Sequence, residues 1–167
     1  MGKYAETTTV SAAASRDEIE RTLARFGASQ FMYGWKSEMA VIAFVAEGKQ
    51  IRLMLPMPDR NNREFTRTPG RGLVRSPEQQ EKAYEQAVRQ RWRALAVTIK
   101  AKFAAIEAGI SIFEREFFYD TVLPNGQTMG EYMLPQMEEA CRIGKMPPLL
   151  PALGTEGRWT YEDGKPV

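Results

Sequence analysis

Apolar residues recur at every third or fourth position over a long stretch in the middle of the chain, a pattern typical of an amphipathic helix. The stripe consists of Tyr84, Val88, Trp92, Leu95, Ile99, Phe103, Ile106, Ile110, Phe113 and Phe117. It predicts one helix from about 77 to 118, which begins with a capping box of Ser76 and Gln79. A helix this long must break near Gly109, overhang the rest of the fold or pack against a second copy of the chain.

Runs of apolar and aromatic residues upstream of that helix predict strands. Three runs rich in β-branched and aromatic residues lie at 30–35, 39–46 and 50–55, with the short turns KSE and EGK between them. This spacing favours an antiparallel meander. The threonine-rich segment 4–10 predicts a further strand near the start of the chain.

A shorter helical pattern lies between the first two predicted strands. Ile19, Leu23 and Phe26 fall on one helical face, while Ser15 and Glu18 have the spacing of a capping box. We therefore expect a helix that starts near Ser15 and packs on one face of the sheet.

The order of these elements defines an α+β fold, with a β-α-β-β-β antiparallel sheet followed by the long helix and a shorter kinked helix. The shorter helix is predicted at 129–143, and Pro135 inside it predicts the kink. Residues 1–153 then form a single domain. Within this domain we expect the proline-rich segment 146–153 to lie extended over apolar surface, and after it we expect residues 154–167 to form a flexible tail.

The segment 56–75, which joins the sheet to the long helix, contains three prolines, two glycines and five arginines. This composition predicts a long, exposed basic loop, and loops of this length are commonly functional or disordered. Its TPGRG sequence at 68–72 offers backbone amides to a phosphate, but it lacks the full GxxxxGK[ST] motif of a nucleotide-binding loop.

Charge is distributed unevenly along the 167 residues, although the net charge is only +2. Residues 60–102 carry eleven basic against four acidic side chains, a net of +7. Residues 1–59 are balanced, whereas residues 103–167 carry five basic and ten acidic side chains, a net of −5. The excess in the middle segment indicates an anionic partner.

The basic residues of the loop and of the adjoining helix predict a surface for phosphate groups. Residues 88–103 hold five cations and no acid, whereas an ordinary solvated helix mixes both signs. Arginine binds phosphate oxygens in pairs, and the predicted contact residues are Arg63, Arg67, Arg71, Arg75, Arg89, Arg93 and Lys100. The alternative is that the helix cations only flank the apolar stripe with their heads in water, and that the loop serves solubility.

Aromatic residues alternate along the first strand of the meander. Phe31, Tyr33 and Trp35 therefore point to one face of the sheet. Beside cationic loops, Tyr33 and Trp35 are candidates for stacking on the bases of a single-stranded nucleic acid. The alternative is that the row is core beneath a helix.

Residues for metal or nucleophilic catalysis are scarce. There is no histidine, and Cys141 is the one cysteine, which removes histidine-activated nucleophiles and a zinc site built within one chain. Glu47 and Lys49 have the ExK spacing of metal-dependent nucleases, but Gly48 between them predicts a hairpin turn rather than a strand in a cleft. We therefore expect no enzyme, no cofactor and no bound metal.

The compartment follows from two further features of the sequence. No apolar run approaches the length of a membrane span, and the first residues lack the apolar core of a signal peptide. A single cysteine agrees with a reducing compartment. We expect a cytoplasmic protein without a membrane association.

Several segments together resemble a family of small proteins, without an established activity, from tailed-bacteriophage and prophage genomes. The resemblance spans nearly the whole chain and rests on LPMPDR, REFTRTP, RQRWRALAVTIKAKFAAIE, FFYDTVLPNGQTMGEYMLPQ and MPPLLPAL. It implies a phage-encoded protein that works inside a bacterial host cell. It carries over no catalytic residue or cofactor.

Two functions are consistent with these observations. The first is a phage-encoded, non-enzymatic accessory protein that binds nucleic acid in the host cytoplasm. The second is a protein–protein inhibitor of a host defence system, in which the basic surface or the acidic last third of the chain contacts a host protein. An uncovered stripe on the long helix would also permit a homodimer.

Overall fold

The computed structural model of the chain describes residues 8–36, 38–144, 161–162 and 165–166. The chain divides into two units, Met1–Met129 and Gly130–Val167. The division falls inside the range that the sequence predicts as one domain, and each unit is described by itself below. The first unit is an α+β fold built on an antiparallel sheet and a long helix, as predicted.

Three strands form the sheet of the first unit: β1 (Gln30–Lys36), β2 (Met39–Ala46) and β3 (Lys49–Pro56). They pair in the order β1-β2-β3, all antiparallel, which confirms the predicted meander. The β2–β3 turn takes φ of 50° at Glu47 and 69° at Gly48. This left-handed geometry suits a two-residue hairpin because it follows the right-handed twist of the strands.

The fourth predicted strand, at 4–10, is not confirmed. Residues 1–7 lie outside the described part of the chain, and the described residues 8–10 are not in a strand. The free edge of β3 is instead met by residues 120–122, where the amide of Arg52 donates to Asp120 and that of Val122 to Gln50, both at 2.8 Å. The threonine-rich composition indicated extended backbone, but composition does not specify a pairing partner.

The first helix, α1 (Ala12–Arg25), begins one turn earlier than predicted. Its N-cap is Ser11, whose hydroxyl accepts from the amide of Ala14 at 3.0 Å. Ser15 therefore lies inside the helix and is fully buried, and the predicted capping box of Ser15 with Glu18 is wrong. Two serines four residues apart offered alternative starts, and the alanines between them let the helix extend to the earlier one.

The long helix, α3 (Pro77–Glu107), begins where predicted, with a capping box of Ser76 and Gln79 and proline in its first turn. Its predicted end at 118 is wrong, because the chain leaves the helix at Gly109, where φ is +70°. Of the three outcomes open to so long a helix, a break near Gly109 is the one observed. Glycine enters this left-handed region at no steric cost.

Beyond the break, the chain folds back as the short helix α4 (Phe113–Phe117). The ring centroids of Phe113 and Phe117 lie 6.5 and 5.2 Å from that of Phe103 in α3. The apolar stripe therefore continues in space although the helix does not continue in sequence, because these rings still reach the same core.

The core of the first unit lies between the sheet and helices α1 and α3. Trp92, Ala96, Ile99 and Phe103 of α3 are buried in it together with alternate residues of β2 and with Ile19 and Leu23 of α1. The central part of the apolar stripe is thus covered by the protein's own chain, whereas Ile110 near its end is 76% exposed. The homodimer through this stripe stays a prediction.

The segment 56–75 is more ordered than predicted. It contains the short helix α2 (Arg63–Thr66), capped by Asn62, and an antiparallel bridge between Arg67 and Val74. Phe65, only 4% exposed, packs edge-on against Tyr84 of α3 with ring centroids 5.8 Å apart. A buried aromatic ring thus packs this segment on the helix, a contact that its count of prolines, glycines and arginines did not reveal.

Helix α5 spans Met129–Ile143, matches the predicted range of the shorter helix and belongs to the second unit from Gly130 onward. Pro135 lies inside it. Two short strands, β4 (Tyr161–Glu162) and β5 (Lys165–Pro166), pair antiparallel. The segment 146–153 lies outside the described residues, so its extended conformation stays a prediction, as does the flexibility of 154–167.

Candidate anion-binding cleft

A concave site of about 660 Å³ lies between segment 63–75 and the first half of α3. We call it the arginine cleft. Three predicted contact residues, Arg63, Arg67 and Arg75, lie on its loop side. Its helix side is formed by Ala83, Gln86, Ala87 and Gln90. The structure thus brings together arginines spread over thirteen positions of sequence and sets them opposite two amide side chains.

The loop side of the cleft is shaped by a compact hairpin. The amide of Thr68 donates to Leu73 at 2.8 Å, and that of Gly72 to Thr68 at 3.2 Å. Gly70 and Gly72 take φ of +81° and +65°, which explains two glycines in so short a turn. The TPGRG sequence is therefore the turn of this hairpin, not the start of a nucleotide-binding helix.

Arg63 and Arg67 converge on the same glycine of this hairpin. Arg67 donates to the carbonyl of Gly72 at 3.0 Å, and Nη2 of Arg63 lies 3.6 Å from the position that a Cβ at Gly72 would occupy. Neither arginine has an ion pair with a carboxylate among the described residues. Two like charges in one place raise the potential that an incoming anion would experience.

Arg75 and Glu64 complete the charged lining of the cleft. The backbone of Arg75 is fixed at both ends, because its amide donates to Thr66 at 2.9 Å and its carbonyl accepts from Gln80 at 2.8 Å. Three arginines against one glutamate leave the lining with a formal charge of +2. The cleft is therefore suited to an anion rather than to a cation.

Arg93 and Lys100, two of the predicted contact residues on α3, share one carboxylate of α1. Glu18 accepts a hydrogen bond from Arg93, and its other oxygen lies 3.5 Å from the ammonium of Lys100. Burial alone raises the pKa of Glu18, but the hydrogen bond and charge of Arg93, with Lys100 beside it, outweigh burial and hold the pKa below its ordinary value of 4.5. These two cations serve first to join α1 to α3.

Arg89 contacts a residue of the arginine cleft without lining the cleft itself. Its guanidinium donates twice to Oε1 of Gln86, at 3.0 and 2.7 Å, and lies 3.8 Å from Glu85. Gln86 itself lines the arginine cleft and donates to the carbonyl of Thr8 at 3.0 Å. Arg89 therefore stands behind the cleft wall and orients one of its amides, which is a positioning role rather than a direct contact.

Arg71 is exposed at the tip of the hairpin and does not line the cleft. Arg60, the first arginine of the segment, forms a two-pronged pair with Glu81 and places its guanidinium 3.9 Å above the ring of Tyr84. Such a pair leaves little of its charge for a ligand. The arginines of segment 56–75 thus divide into one structural residue, three cleft residues and one exposed residue.

The two cations on the other flank of the α3 stripe are used within the fold. Arg91 donates to the carbonyl of Pro56 at 3.1 Å. Lys102 donates to the carbonyl of Glu116 and lies 4.0 Å from Asp120. Burial raises the pKa of Asp120 above its ordinary value of 3.8, against the opposing charge of Lys102. The uninterrupted basic run of α3 is therefore compensated by acids and carbonyls distant in sequence.

Tyr33 and Trp35 share one face of β1, as predicted, and that face is turned toward the helices. Their partners on β2 are the buried residues Ile42 and Ala40, and directly paired residues lie on the same side of a sheet. Because β1 is an edge strand, Tyr33 is still 44% and Trp35 67% exposed. Tyr33 and Trp35 are therefore neither fully buried in the core nor displayed on the face of the sheet that the helices leave exposed.

Arg16 of α1 extends over these aromatic residues, a contact that the sequence did not predict. Its guanidinium carbon lies 5.1 Å from the ring centroid of Tyr33 and 5.2 Å from that of Trp92. The rings of Tyr33 and Trp35 are stacked with centroids 6.5 Å apart. Gln86, Gln90 and Arg16 were missed because isolated polar residues on a helix carry no signal before their neighbours are known.

The ExK triplet lies in the β2–β3 turn, as predicted. Lys49 is bound there to Glu114 at 2.9 Å, and the side chain of Glu47 is exposed. Within the part of the chain that the structure describes, no three or more acidic or cysteine side chains are grouped closely enough to hold a metal ion.

Comparison of the chain with protein-family models, with curated proteins and with solved structures finds no match in any of the three. Of the helices described here, none has both the length and the apolar character needed to cross a membrane.

Proposed function

We propose that this chain is a non-enzymatic nucleic-acid-binding accessory protein, and that the arginine cleft holds the phosphates of a single strand. The observation that carries the proposal is the convergence of Arg63 and Arg67 on Gly72 without a carboxylate partner among the described residues. Paired guanidinium groups on an ordered helix and the hairpin that follows it match phosphate oxygens, and little conformational entropy is lost on binding.

The arrangement of the other cations supports a small contact area. Arg93 and Lys100 are partly neutralised by Glu18, so the phosphate contacts reduce from the seven predicted residues to Arg63, Arg67 and Arg75. Three contacts imply that log affinity for a single strand falls with log salt at a slope of about −2. Arg71 lies next to the cleft on the exposed hairpin tip and is available to a longer strand.

The experiment is a fluorescence-anisotropy titration of single-stranded oligonucleotides at several salt concentrations. The variant carries Arg63→Gln, Arg67→Gln and Arg75→Gln. Its control carries Arg21→Gln, Arg25→Gln and Arg115→Gln, three exposed arginines outside the cleft, so both proteins lose the same charge. We expect the cleft variant to lose most of its affinity, and its log affinity to depend much less on log salt. The control should change little in both.

Equal losses in the two variants would mean that binding follows net charge and not the cleft. Absence of binding by the unaltered protein at low salt, to single-stranded and double-stranded oligonucleotides alike, would refute the proposal. Should the triple variant unfold, Arg63→Gln with Arg67→Gln alone provides the comparison, since both side chains are exposed.

The resemblance of REFTRTP and RQRWRALAVTIKAKFAAIE to tailed-bacteriophage and prophage proteins supports a place for this activity in the cytoplasm of a bacterial host. The first segment contains Arg63 and Arg67, and the second begins with Arg89 and Gln90. The resemblance therefore covers part of the cleft lining as well as the core of the fold.

The alternative function is inhibition of a host defence protein, and α5 is the element that favours it. Tyr132 and Met137 are exposed on this helix, as is the acid Glu138, whereas the neighbouring Glu139 is paired with Arg142 at 2.6 Å. Apolar and acidic side chains exposed together suit a basic protein partner. A pull-down from host lysate with and without nuclease separates the two functions, because partners retained after nuclease favour inhibition and partners lost favour nucleic acid.

A further inference from the structure

A second cavity, of about 250 Å³, lies under the exposed end of β1. We call it the aromatic cavity. Its lining consists of Arg16, Trp35, Ala40, Met57, Tyr84, Val88 and Trp92. Trp92 is 2% exposed and Trp35 67% exposed, so the cavity leads from the surface down to the edge of the core. Three aromatic side chains around one opening are unusual for a simple packing gap.

The aromatic cavity and the arginine cleft are separated by a single pair of rings. Phe65 lines the cleft and Tyr84 lines the cavity, and the two rings meet edge-on at 5.8 Å with an angle of 84° between their planes. On α3, Ala83 and Ala87 of the cleft stand directly beside Tyr84 and Val88 of the cavity. The cleft and the cavity therefore lie on neighbouring faces of α3 and share the wall that Phe65 and Tyr84 form.

The charge in the aromatic cavity restricts which ligand fits it. Arg16 lies against the Trp92 ring and has no ion pair with a carboxylate among the described residues. A cationic ligand such as a methylated ammonium would be repelled by this guanidinium, although aromatic cavities often bind such groups. A planar neutral ring with carbonyl acceptors gains both stacking and a hydrogen-bond donor there.

The size of the aromatic cavity leads to the same ligand. Its volume of about 250 Å³ is enough for one heterocyclic base. Proteins that hold single strands combine a basic groove for the backbone with aromatic side chains for the bases. We infer that the aromatic cavity receives one unstacked base of the strand whose phosphates lie in the arginine cleft, an inference that rests on the proposed function.

The test compares a short thymidine oligonucleotide with one of the same length in which the bases are replaced by abasic residues. Both are titrated against the unaltered protein, Trp35→Ala, Trp35→Phe and the control Tyr119→Ala, whose side chain is exposed outside the cavity. We expect the unaltered protein to bind the abasic strand between about fivefold and 150-fold more weakly, the usual effect of one stacked base.

Trp35→Ala is expected to weaken binding of the thymidine strand to a similar extent and to leave binding of the abasic strand unchanged. Trp35→Phe should restore most of the affinity because it keeps a ring, and Tyr119→Ala should bind like the unaltered protein. Equal affinity of Trp35→Ala and the unaltered protein for thymidine would overturn the base site while the cleft arginines remain necessary. Failure of every oligonucleotide to bind would overturn the proposed function itself.

Discussion

Glu18 of α1 and Arg93 of α3, which lie 75 positions apart in sequence, form an ion pair that joins the two helices. The side chains are only 25% and 28% exposed, and Lys100 shares the same carboxylate. A single acid thus governs whether two of the predicted phosphate contacts are available to a ligand. A variant without the carboxylate of Glu18 therefore shows whether Arg93 and Lys100 only join the two helices or also bind a ligand.

Glu18→Gln should lower the free energy of unfolding by about 1 kcal/mol, the upper range for a partly exposed ion pair. The same change releases Arg93 and Lys100. If they belong to the nucleic-acid surface, affinity at low salt rises severalfold and the salt slope steepens. Chemical denaturation and anisotropy measure the two effects.

The control for this experiment is Glu107→Gln, which removes an equal charge from the exposed pair of Arg25 and Glu107. Glu107 follows the cleft residues of α3 by at least seventeen positions, about 25 Å along the helix axis, which is well beyond the Debye length at moderate salt. If both variants raise the affinity equally, Arg93 and Lys100 are not specific contacts.

The Glu18 pair also predicts a dependence of stability on pH. Because the pKa of Glu18 in the folded protein is lower than its ordinary value of 4.5, its contribution is fully present above 4.5 and disappears as the pH falls through the lowered value. The unfolding free energies of the unaltered protein and Glu18→Gln should therefore converge below pH 4.5. Urea denaturation over an acidic pH series measures this, and a constant difference would contradict it.

Phe65→Ala tests whether one buried ring orders segment 56–75. Removal of a buried phenylalanine costs about 3 kcal/mol or more, and here the loss falls on the contact with Tyr84. We expect faster tryptic cleavage at the arginines of the segment and weaker oligonucleotide binding. Val74→Ala in the same segment is the control, since Val74 is 72% exposed. Unchanged cleavage in Phe65→Ala would show that the hairpin is ordered without this ring.

Two glycine substitutions should have opposite effects. Gly109→Ala forces alanine to φ of +70°, which costs about 1–2 kcal/mol in the left-handed region. Gly34→Ala, with no atom within 4 Å of the new Cβ and no positive φ, should be neutral or add up to about 1 kcal/mol. Thermal unfolding compares them. A Gly109→Ala protein of unchanged stability would mean that the helix break does not depend on this glycine.

Local sequence determined the elements of this protein more reliably than their boundaries. The meander and the start of α3 followed from residue period, turn residues and a capping box, which act within one or two turns of the chain. The start of α1 and the end of α3 did not, because each depended on a choice between two permitted local structures. Packing of Phe113 and Phe117 onto Phe103 stabilises the helix break at Gly109. Patterns of neighbouring residues do not specify that contact.

The basic character of residues 60–102 was determined by the sequence alone, but the tertiary structure decided which of these cations are paired with an acid. Glu18 and Asp120 neutralise cations far away in sequence, whereas Arg63 and Arg67 remain together at Gly72. The physical reason is that electrostatic energy depends on distance and on burial, and both quantities are set by the fold. A helical wheel places Arg93 and Arg89 on one edge, yet only the packing of α1 and of segment 63–75 against α3 shows which cations face a cleft.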